Sequence, residues 1–196
     1  FSFLLGSFTA LIVLFDMASS SAFYTIISKE KQQNQFYLYY LFWIIIQLFL
    51  LILLVFLLPE SIRNKIWLGH SNKLIYFALF TSFSMKKIWQ FTSQIGESMR
   101  DTIGIQVRNL VLAVSYLIIV LLLGFNNIIG MDKLFVLNAI MYVLFSALYV
   151  IRIYESDIFS VKMKTESNKF LLKFKKYCYP LVPYTVFGFF YTFIDY

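Results

Sequence analysis

Two adjacent lysines, Lys86 and Lys87, lie in the middle of the apolar stretch Leu74–Ile95, with Ser82, Gln90 and Ser93 around them and Glu97 just beyond. A cation at mid-span in hydrocarbon costs about 2.5–3.5 kcal/mol on insertion scales and persists beside an anion or a water-filled cavity. At about 100° per residue, Ser82, Lys86, Gln90, Ser93 and Glu97 fall within an arc of roughly 80°, with Lys86 near its centre and Lys87 on its shoulder. Leu79 interrupts the stripe, and Phe77, Phe80, Ile88, Phe91 and Ile95 occupy the other side. Ammonium, amide and hydroxyl groups on one helix face can hold a polar or anionic cargo. Two blander readings of Lys86 stay open: the segment tilts or ends early and both lysines snorkel to an interface, or Lys86 belongs to a structural ion pair.

Other candidates are few. Asp16 precedes Met17-Ala18-Ser19-Ser20-Ser21-Ala22, small side chains that permit close helix approach in lipid; it reads either as a cap for the following turn or as a transport group. Asp195 lies at the far end of the last apolar run. Cys178 and His70 are the one cysteine and one histidine, and they read as a buried thiol and a loop imidazole. There is no CxxC, no HExxH and no Cys/His metal set, and the seven glycines form neither GxGxxG nor a P-loop. Transport or structure is therefore favoured over catalysis, and no cofactor or metal is expected.

The elements that must position these residues are membrane helices. Of the 196 residues, 60% are hydrophobic and 14% charged, against roughly 45–50% and about 25% in soluble proteins. No charge falls at 1–15, 32–59, 109–131, 134–151 or 177–194, and about 20 mainly apolar residues cross a bilayer as a helix. Continuous apolar runs exclude a β-barrel, whose strands alternate apolar with polar over about 9–11 residues. The expected fold is an all-α, polytopic transmembrane bundle of about six spans: 1–15, 37–58, 74–95, 107–124, 134–151 and 178–193. Pro59 ends the second, in which Gln47 is the lone polar side chain between Leu41 and Leu58. Trp43, Trp67 and Trp89 are candidate interface anchors.

Charge sets the orientation. With six crossings the Lys/Arg residues divide eleven to four, with two inside the third span; without the third crossing they divide fourteen to three. Either count places the loop 152–177 in the cytoplasm, and only the polar stripe argues for the third crossing. The loop carries seven Lys/Arg against three acids, and Lys169–Lys176 mixes basic with bulky apolar residues, as an interfacial helix on anionic lipid does; a plain positive-inside bias explains nearly as much. The formal charge of +7 thus reflects loops and points away from nucleic acid. A chain that starts in an apolar run at Phe1 and stops in another at Tyr196 reads as a fragment of a longer protein.

Three places resemble the polysaccharide transporters, the O-antigen-type oligosaccharide flippases of the multidrug/oligosaccharidyl-lipid/polysaccharide exporter superfamily. Leu14-Phe15-Asp16-Met17-Ala18-Ser19-Ser20-Ser21-Ala22-Phe23 resembles the end of that family's second helix, with Ala18 where the family usually carries Gly. A third helix ends at a proline, as here at Pro59. Phe170–Tyr196, with Pro180-Leu181-Val182-Pro183 and then Asp195, resembles the start of the seventh helix, with Tyr196 where an Arg often follows.

The resemblance implies a fragment of a two-lobe, roughly twelve-helix transporter. Residues 1–151 would be most of the N-terminal lobe, helices two to six; 152–177 a cytoplasmic basic connector; and 178–196 the first helix of the C-terminal lobe. It also implies a multi-pass protein of the bacterial cytoplasmic membrane that turns a polyprenyl-pyrophosphate-linked oligosaccharide between leaflets without making or breaking a bond. Lys86, Gln90, Lys87 and Asp195 are then the substrate-binding candidates. The expected partners are the lipid-linked oligosaccharide and membrane lipids, with room for a glycan polymerase. Two alternatives stand beside this reading. A drug or ion antiporter of the same superfamily would be expected to use an acidic cavity group. A membrane-embedded glycan polymerase or acyltransferase would need acid/base or nucleophilic residues.

Overall fold

The computed structural model describes residues 1–29, 34–126, 130–155 and 167–194, and every element in them is helical. In order these are α1 (Ser2–Asp16), α2 (Ser19–Lys29), α3 (Asn34–Leu57), α4 (Glu60–Ile66), α5 (Asn72–Phe83), a π turn (Ser84–Ile88), α6 (Trp89–Ser98), α7 (Thr102–Phe125), α8 (Met131–Glu155), α9 (Ser167–Cys178), a 3₁₀ turn (Tyr179–Leu181) and α10 (Val182–Ile194). Three helices are long and apolar enough to cross a membrane: 36–57, 102–125 and 131–152. They carry the expected spans 37–58, 107–124 and 134–151.

α1 and α2 together meet the same requirement but are bent by 60° at the break between them. The expected first span, 1–15, is thus the first arm of a broken helix. The run 72–98 continues as a helix across its π turn, in which the Trp89 N–H bonds the Ser84 carbonyl five residues back. About 40 Å of helix fits in that run, but neither arm is a long, unbroken apolar helix. The last expected span, 178–193, opens with Pro180 in a 3₁₀ turn, and α10 is 13 residues long.

Helix faces follow the apolar pattern. On α3, Tyr40, Ile44, Gln47, Leu51 and Val55 recur at helical spacing and are buried, while Phe42, Phe49 and Phe56 are exposed. On α7, Leu110, Leu117 and Leu121 are exposed, the surface a helix turns toward lipid. The α5–α6 run forms the axis of the packing: α5 meets α1 and α8, and α6 meets α2, α7 and α8. Interhelical polar bonds reinforce it, with Thr81 Oγ1 donating to the Phe135 carbonyl at 2.8 Å and Ser82 Oγ to that of Leu5 at 3.4 Å. The rings of Phe23 and Tyr40 stack at 4.0 Å. Trp67 is no interface anchor: it is fully buried, stacks on Phe8 at 5.1 Å and donates Nε1–H to Ser7 Oγ at 3.1 Å, fastening the segment after α4 onto α1.

Candidate functional site

The site begins at the break between α1 and α2. Met17 and Ala18 both take left-handed backbone angles, φ 46° and 60°, which break the helix and leave its last carbonyls and the next first-turn amides without intrahelical partners. In hydrocarbon such groups must be satisfied by neighbouring protein. Gln47 of α3 does so from one side, its Nε2 donating to the Phe15 carbonyl and to Ser19 Oγ, both at 3.2 Å. Asp16 does so from the other. Its carboxylate accepts from Ser19 Oγ at 2.6 Å, Ser20 Oγ at 2.6 Å and the Ser20 backbone N–H at 3.3 Å. An anion at a helix N-terminus is also favoured by the helix dipole.

The remaining partner of Asp16 is Lys87. Its ammonium reaches across from the π turn and forms a buried ion pair and hydrogen bond with Asp16 Oδ1. Lys87 is 4% exposed and Asp16 7%. Lys86, one residue earlier, is exposed, as are Gln90 and Glu97. The two lysines therefore have different surroundings, and the shoulder residue of the ideal stripe is the one turned into the bundle. Ser82 and Ser93 are spent on helix contacts, Ser82 with Leu5 and Ser93 with Arg108. What stays open on the stripe is Lys86, Gln90 and Glu97. Both lysines lie inside the π turn, and neighbouring side chains on a helix point about 100° apart, so one faces the bundle while the other faces out. Asp195 lies outside the described residues.

A second buried cation is Arg108 on α7. Its guanidinium lies between the rings of Trp89 and Tyr149, 4.1 and 4.3 Å from their centroids, and Nη2 donates to Ser93 Oγ at 2.7 Å. Flat, weakly hydrated guanidinium is the cation best suited to stacking. Tyr149 in turn donates to Asp101 Oδ2 at 3.1 Å, and Asp101 caps α7 by accepting from Gly104 N–H at 3.1 Å. The partners of Arg108 come from two other helices, α6 and α8, so no local motif announces it. No group of three or more His, Cys, Asp or Glu side chains able to hold a metal occurs among the described residues.

In this arrangement the Ser19 and Ser20 hydroxyls donate to the Asp16 carboxylate beside the Lys87 ammonium. It offers the exposed ammonium of Lys86 on the π turn and the exposed amide of Gln90 at the start of α6, with the buried Lys87–Asp16 ion pair behind them. No family model, curated protein or solved structure matches the chain.

Proposed function

We propose that the chain is part of a flippase of the bacterial cytoplasmic membrane that moves a polyprenyl-pyrophosphate-linked oligosaccharide from the inner to the outer leaflet. In this reading the chain crosses six times, five times in the N-terminal lobe and once as the first helix of the next lobe, and 72–98 is a crossing despite its π turn. The observation that carries it is the division of labour at that turn: Lys87 is neutralised by Asp16, whereas Lys86 is exposed beside Gln90. An uncompensated cation on a helix surface within a membrane protein suits a cavity where a diphosphate passes. Ala18 adds support. Its φ of 60° is a conformation glycine adopts without strain, at the position where the resembled family usually carries Gly.

The proposed chemistry is binding without reaction. Lys86 neutralises the diphosphate, Gln90 offers amide donors and an acceptor to sugar hydroxyls, and the polyprenyl tail stays in lipid. The drug or ion antiporter remains the second reading, because Asp16 is the one buried carboxylate among the described residues.

The test is surface glycan display by cells that depend on this protein. Lys86→Ala should lower export about tenfold or more, the loss of one charge-assisted contact, with membrane abundance retained, and Lys86→Arg should keep most activity. Normal glycan export by Lys86→Ala would overturn the flippase assignment for this site; a loss of drug or cation efflux on Asp16→Asn with glycan display intact would select the antiporter.

A further inference from the structure

Two cavities meet at Lys175 and Tyr179. The larger, about 550 Å³, lies between the start of α3 and the α9–α10 junction; Phe36, Tyr40, Trp43, Phe174 and Tyr179 line it, and Asp16 is at its wall. Its volume falls within the about 300–1,000 Å³ of small-molecule sites. The smaller, about 520 Å³ and more open, is lined by Leu172, Lys175, Lys176, Tyr179 and Pro180. Apolar rings thus surround one chamber and two exposed lysines border the next. Lys29, at the end of α2, adds a third cation at the same end, its ammonium 5.5 Å from the centre of the Tyr177 ring.

The carboxylate in the larger cavity makes no demand on a ligand, because Lys87, Ser19 and Ser20 already engage it. A ligand using both chambers must be apolar at one end and anionic at the other. Free phosphate would use the lysines alone, and a neutral lipid would use the rings alone. The last turn of α9 carries Lys175 and Lys176, and basic residues near a membrane surface attract anionic lipids.

We infer that this junction is a built-in site for one anionic phospholipid, its phosphate held by Lys175 and Lys176 and one acyl chain lying among Phe36, Tyr40, Trp43 and Phe174. The site requires only that the chain sits in a membrane and does not depend on what cargo it carries.

Trp43 provides the readout. The full-length protein, in phosphatidylcholine vesicles, is titrated with phosphatidylglycerol or phosphatidylcholine carrying brominated acyl chains, and the Trp43 contribution is isolated by subtracting a Trp43→Phe variant. Brominated phosphatidylglycerol should quench Trp43 at about a tenfold lower mole fraction than brominated phosphatidylcholine. Lys175→Gln with Lys176→Gln should bring that ratio near one, and the matching pair of arginine substitutions should preserve it, which separates lost charge from lost folding. Soluble glycerol phosphate should not reverse the quenching. Equal quenching by the two lipids, a preference that survives the glutamine pair, or displacement by glycerol phosphate would overturn the site. So would the absence of quenching by either lipid, which would assign the cavity to a protein segment.

Discussion

Asp16 and Lys87 make opposite demands on the membrane that cancel only when they meet. Removing one partner of a buried pair typically costs about 3–5 kcal/mol, because the other charge is left uncompensated. Lys87→Ala should therefore lower thermal stability in detergent by about that amount, and Asp16→Asn with Lys87→Gln should cost clearly less than the two single losses combined. Lys86→Ala, at an exposed position, should leave stability nearly unchanged. An unaltered melting temperature for Lys87→Ala would show that the pair does not hold the bundle. Residue types were legible here: the sequence marks Lys86, Lys87, Asp16 and Gln47 as the unusual polar groups. Their assignment was not, because the partners Asp16 and Lys87 are 71 positions apart. Arg108 was missed for the same reason, since Trp89, Ser93 and Tyr149 reach it from elsewhere in the chain.

The helix break and the π turn face each other, and each depends on backbone geometry that side chains constrain. Met17 is half exposed at φ 46°, so Met17→Gly should raise stability by about 1 kcal/mol by relieving the left-handed strain. Ala18→Gly should gain less, because Ala18 is buried and its methyl group is lost. On α6, a Cβ at Gly96 would meet the Tyr149 hydroxyl and the Ile105 side chain, so Gly96→Ala should destabilise by about 1–3 kcal/mol, the range for overpacking. Thermal unfolding measures all three. Long apolar elements such as α3, α7 and α8 were legible because an uncharged run of that length has one ready interpretation. The 60° bend between α1 and α2 was not, because it rests on two residues, neither of them glycine, whose angles are imposed by tertiary contacts. Whether 72–98 crosses is an element-scale question with a direct test. In a Cys178→Ser background, Ser61→Cys should react with an impermeant thiol reagent from outside and Thr102→Cys only after the membrane is opened. Labelling of both from one side would remove the third crossing.

At the scale of the whole molecule, three helices and one broken pair suited to a membrane surround a run whose π turn holds one lysine inside and leaves its neighbour open. The proposed carrier adds a second lobe, and the cargo moves between the two. Translocation by the full-length protein in sealed vesicles tests this most directly, with a polyprenyl-pyrophosphate-linked glycan loaded on one side and its arrival on the other read by an impermeant glycan-cleaving enzyme. The wild-type protein should move the glycan and Lys86→Glu should abolish movement by setting an anion against the diphosphate, while residues 1–196 alone should move none. No translocation by the wild type, undiminished movement by Lys86→Glu, or transport by residues 1–196 alone would contradict the two-lobe flippase.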